Sequence, residues 1–178
     1  MAVNPEEVSK LINKVKSLEK GHRLDLSSGE DLSVAIMNLI GIEEHMFFTA
    51  QKTGQVEYLT VLQQAREMRK ELMKKIVKDN KGEVWCTSKH LLAASMRLME
   101  VGTKCLTQKK KKEAQDYFQK SFILYNLFWG LNLGLVKDGS QALKIEIDKS
   151  PAEQPLPKKD LLGNISRIIG KILNCCRE

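Results

Sequence analysis

Proline is nearly missing from the first 150 residues of this chain: after Pro5 the next is Pro151, followed by Pro155 and Pro157. Proline lacks the backbone N–H and clashes with the preceding helical turn, so its absence leaves long helices free to form. Aromatic residues are scarce, at 6%, which leaves most of any core to aliphatic side chains and methionine. Cys86, Cys105, Cys175 and Cys176 include no CxxC pair, which argues against a zinc ribbon and for free thiols in a reducing compartment. The most apolar window, Ser121 to Val136, is interrupted by Asn126, Gly130, Asn132 and Gly134. It falls short of the roughly 20 apolar residues that a bilayer requires. Glu6 and Glu7 stand where a secretory leader would carry positive charge. The expectation is a cytoplasmic protein with no membrane span. Also missing are a P-loop, a dinucleotide fingerprint, a nucleophile elbow and a paired-carboxylate site.

What is present is helical. An apolar fraction of 42% over 178 residues suits one domain with a continuous core. Apolar residues recur at helical spacing over about 5–20, 28–52, 56–78, 83–107, 111–136 and 159–175. Asn4 and Pro5 suit the start of the first segment, and Gly21 its end. Glu30 and Asp31 are expected in the first turn of the second. Short connections between long helices predict an all-α, antiparallel helical bundle of five to six helices. Residues 1–137 form its core, 138–158 a proline-containing linker, and 159–178 a C-terminal amphipathic helix of the same domain. Leu143, Ile145 and Ile147 alternate with charged residues, but a lone strand has nothing to pair with, so this stretch reads as loop.

Two charges interrupt apolar stripes. On a 100° wheel Glu43 sits amid Leu32, Ile36, Leu39, Ile40, Met46, Phe47 and Ala50. Arg69 sits in the same way amid Tyr58, Leu62, Ala65, Leu72 and Ile76. An unpaired charge there is costly, so the simplest resolution is a buried Glu43–Arg69 ion pair. The chemical alternative makes Glu43 a metal-binding or general-base carboxylate, but the arginine neutralises the charge a metal would need.

Cys86, His90, Arg97, Glu100 and Lys104 fall within about 40° of one line along the fourth segment. Thiolate and imidazole suit zinc, and a histidine can activate a neighbouring thiol. That makes a metal- or thiol-dependent enzyme centred on Cys86 and His90, with Glu100 as a third group, one alternative. The line lies opposite the apolar face of Leu91, Ser95, Leu98, Gly102 and Cys105, so the simpler reading is a solvated side. His45 follows Glu43 and Glu44, but neither His45 nor His90 has a glutamate three residues before it, and a bundle di-iron site requires that spacing on two helices. His22 reads as a loop residue.

The net charge is +7, and it is local: residues 81–137 carry ten basic against four acidic groups, while residues 31–80 carry seven of each. Most of the excess is Lys109, Lys110, Lys111 and Lys112, with Lys104 and Lys120 nearby. Such a knob can neutralise phosphates of nucleic acid or lipid headgroups, although no aromatic residues are interleaved to stack on bases. The simpler reading is a solubilising corner. In the last segment Leu161, Ile165, Ile168 and Ile172 share a stripe, fit to fold back or to dock on a partner.

From Leu98 to Phe122 the chain runs LMEVGTKCLTQKKKKEAQDYFQKSF. With small residues at Gly102, Ala114 and Ser121 and an aromatic at Phe118, residues 95–124 resemble a single tetratricopeptide-type helical hairpin. Leu98 stands in place of that family's tryptophan and Lys109 in place of its turn glycine, and no second copy follows at a spacing of 34. The resemblance implies a hairpin that serves protein interaction, and no functional residue carries over. The leading expectation is therefore a non-enzymatic bundle, needing no cofactor or metal, that binds another protein or itself. A nucleic-acid accessory factor using the lysine knob is the principal alternative.

Overall fold

A computed structural model describes residues 26–78 and 82–134, with position 13 as an isolated helical residue. The expected first and last helices, the 138–158 linker, His22, Cys175, Cys176 and the stripe of Leu161, Ile165, Ile168 and Ile172 lie outside the described residues. Within them the chain is an all-α bundle of four helices: α1 (Leu26–Thr53), α2 (Glu57–Ile76), α3 (Glu83–Thr107) and α4 (Lys111–Asn132).

Each turn has a local cause. Gly54 adopts φ +70°, and its N–H donates to the Ala50 carbonyl at 2.9 Å. This left-handed residue closes α1 at almost no steric cost. Gly82 precedes α3 at φ +82°. After α4, the Leu133 and Gly134 N–H groups bond back to Trp129 and Leu131, and Gly134 turns left-handed at φ +64°. The fifth apolar segment accordingly stops as a helix at Asn132, short of Val136. At the other end of the described chain α1 starts at Leu26, so Glu30 and Asp31 fall in its second turn, beyond the reach expected of the helix dipole.

The α3–α4 turn uses a lysine where glycine is the usual choice. Lys109 has φ +62°, with Lys109 N–H donating to Leu106 O and Lys110 N–H to Cys105 O, both at 2.9 Å. These two bonds make a Schellman closure.

Helices α1 and α2 form one antiparallel hairpin, α3 and α4 a second, and α1 meets α3 along a narrow seam. The shared core gathers where α1 and α3 begin and α2 and α4 end: Ile36 and Met37, Met73 and Ile76, Leu91 and Leu92, and Leu127 to Trp129. Phe128 stacks on Tyr125 and meets Trp129 edge-to-face in this cluster. Ser33 Oγ donates to the Glu30 carbonyl at 2.7 Å, so the 2.7 Å contact with Tyr125 has the phenol as donor. That bond ties α1 to α4.

Close approach within the second hairpin follows from small residues. Ser95 Oγ donates to the Ser121 carbonyl at 2.9 Å, and Ser121 Oγ to the Ser95 carbonyl at 2.7 Å. Gly102 lies under the Phe118 ring, where an added Cβ would meet Cε1 at 2.6 Å. Ala114 is fully buried.

Candidate functional site

Successive residues on a helix diverge by about 100°, and α1 uses this to address two neighbours with two adjacent glutamates. Glu43 turns to α2. Arg69 Nε donates to Glu43 Oε1, and Arg69 Nη2 to Glu43 Oε2 at 3.3 Å. The arginine side chain is 3% exposed and the glutamate 15%. Arg69 Nη1 also donates to Met73 Sδ at 3.5 Å. The guanidinium thus engages both carboxylate oxygens and balances the charge that a metal would otherwise need from Glu43.

Glu44 turns to α3. Its Oε2 accepts from Arg97 Nε at 2.9 Å and from Arg97 Nη2, while Arg97 Nη1 donates to Glu100 Oε2 at 2.6 Å. Hydrogen bonds to Glu44, and next to Glu100, raise the arginine's pKa further above its ordinary value. The polar line of α3 is therefore not simply its solvated side. Its centre reaches across to α1 through Arg97, which stays partly open to solvent, while Cys86, His90 and Lys104 are exposed and have no such partner among the described residues.

Between α1 and α3 runs an open groove of about 340 Å³. Met37, Ile40, Met46, Ala93 and Met96 give it an apolar lining, and Glu44, Arg97, Glu100 and His45 bound it. Methionine is flexible and polarisable and adapts to differently shaped apolar partners. Of the polar residues that the sequence singled out, His45, Arg97 and Glu100 line this groove, whereas Cys86, His90 and Lys104 do not. Sequence reasoning did not pair Glu44 with Arg97 and did not single out Met37 or Met96, because a charge on the line opposite the core face carries no sign that another helix meets it.

Cys86 is an exposed free thiol and Cys105 a buried one. Among the described residues no three of His, Cys, Asp and Glu converge as a metal site. The structure thus does not bring Cys86, His90 and Glu100 together as a ligand set. Compared with protein-family models, curated proteins and solved structures, the chain matches none.

The lysines divide. Lys120 donates to Asp116 Oδ2 at 2.7 Å and lies 6.0 Å from the centre of the Tyr117 ring. Lys104, Lys109, Lys110, Lys111 and Lys112 are exposed around the α3–α4 turn, and none of them has an ion pair with a described residue. Among the described residues, no helix is long and apolar enough to cross a membrane.

Proposed function

We propose that this chain is a non-enzymatic, cytoplasmic interaction protein whose helical bundle binds another protein or a second copy of itself. One observation carries the reading: the inward apolar stripes are longer than the core they share. On α1, Phe47 lies within about 20° of Ile36 and Ile40, yet Ile36 is fully buried and Phe47 is 47% exposed. On α3, Met99 lies within about 20° of Leu92, yet Leu92 is fully buried and Met99 is 44% exposed. Phe48, packed edge-on against Phe47, is also half exposed. Apolar surface grouped in this way beside an adaptable groove is characteristic of a docking site. The tetratricopeptide-like character of residues 95–124 supports the same reading, since hairpins of that kind serve protein interaction.

Native mass spectrometry of gently purified protein tests it. The expected result is a mass above that of the 20.2 kDa monomer, either a dimer or a complex with a defined partner. A Phe47→Ser, Met99→Ser variant should fold and return to the monomer mass. A bare monomer for the wild type, with no change in the variant, overturns the reading.

A further inference from the structure

The α3–α4 turn concentrates charge against local preference. From Val101 to Gln115 the chain holds five lysines and a single acid, Glu113, and the next acid, Asp116, is taken by Lys120. Lys110, Lys111 and Lys112 occupy the N-cap and first two positions of α4, the positive end of the helix dipole, where cations are disfavoured. Lys109 holds the left-handed position that glycine fills without strain. None of these choices helps the fold. Rule-breaking of this kind is expected where a sequence answers to function.

Shape and composition narrow the partner. The lysines are exposed around a hairpin end, and none of them lines the groove between α1 and α3. They include no arginine for bidentate phosphate or base recognition. The nearest aromatics, Tyr117 and Phe118, are half-buried, so bases find no open stacking platform. Leu106, 47% exposed, stands among them as an apolar side chain at the turn. Diffuse positive charge with one apolar tip matches a smooth anionic surface. We propose that the α3–α4 turn docks reversibly on anionic lipid, its lysines against the headgroups and Leu106 at the headgroup–acyl boundary. This site shares no residue with the interaction surface proposed above, and either can stand without the other.

Each lysine close to an anionic membrane strengthens partitioning by about fivefold, so four contribute roughly several-hundred-fold. A single leucine adds little, which keeps binding reversible and sensitive to salt. The test is co-sedimentation of the full chain with phosphatidylcholine vesicles, with and without phosphatidylglycerol. Binding should require phosphatidylglycerol and weaken as salt is raised. Replacing Lys109, Lys110, Lys111 and Lys112 with glutamine should lower partitioning by roughly several-hundred-fold. Lys74→Gln, Lys75→Gln, which removes two exposed lysines from α2, should leave it unchanged, and thermal melts check that both variants fold. Equal binding to both vesicle types overturns the proposal. So does equal loss in the two variants, which would mean diffuse charge rather than a site. Tight binding of a single-stranded RNA oligonucleotide through the same four lysines, without vesicle binding, overturns it in favour of nucleic acid.

Discussion

Replacing Arg69 with methionine and Glu43 with leucine, singly and together, tests whether their ion pair is a matched unit. Removing one partner of a buried pair costs about 3–5 kcal/mol, because the survivor keeps its charge without compensation. The two exposures order the single variants. Glu43 is 15% exposed and can reach water when Arg69 is lost, whereas Arg69 is 3% exposed and cannot when Glu43 is lost. Arg69→Met should therefore cost about 3 kcal/mol and Glu43→Leu about 4–5 kcal/mol, out of a total of roughly 5–15 kcal/mol for a domain. For a chain of this size each kcal/mol moves the Tm by about 2–4 °C. The double variant replaces both charges by packed apolar groups and should lie near the wild type or above it. Urea unfolding followed by the fluorescence of Trp85 and Trp129, the only two tryptophans, reads all four species. A double variant as unstable as the sum of its singles would refute matched pairing.

Three further effects follow from local geometry. Lys109→Gly relieves the left-handed strain at φ +62° and should stabilise by about 1 kcal/mol, read as a rise in the urea midpoint. Ser95→Leu forces a large side chain into the reciprocal serine contact of α3 and α4, and should cost about 1–3 kcal/mol or more in a thermal melt. Glu30 is buried, and burial, then its neighbour Asp31, pushes its carboxyl pKa above the ordinary value of 4.5. The folded state holds that proton longer than the unfolded chain, so this group's stabilising share is present at acid pH. It is lost as pH rises from about 4.5 through the raised folded value. Glu30→Gln should be more stable than the wild type at neutral pH, with the difference in Tm vanishing near pH 4.

The helices were legible because their signals are local: Gly54 and Gly82 mark turns, and the apolar spacing marks the faces. The span 83–107 emerges in the structure with the same limits. Helix α4 ends early because its stop depends on backbone angles at Leu133 and Gly134, which apolar periodicity does not report. Glu43 and Arg69 stood out because each is a charge centred on an apolar stripe, and a buried charge requires a partner whatever the fold. Arg97 gave no such signal. Its line lies opposite the core face of α3, and whether that side meets water or α1 depends on how the two hairpins are set against each other.

Taken alone, the sequence determines the local terms: which residues form helix, which side of each helix is apolar, and which charges interrupt that side. Tertiary structure decides the rest. It sets Glu44 against Arg97, opens the groove between α1 and α3, and leaves Phe47 uncovered where its stripe predicts burial. Periodicity specifies an angle around one helix axis, whereas burial also depends on how far along that axis a neighbouring helix stays within reach.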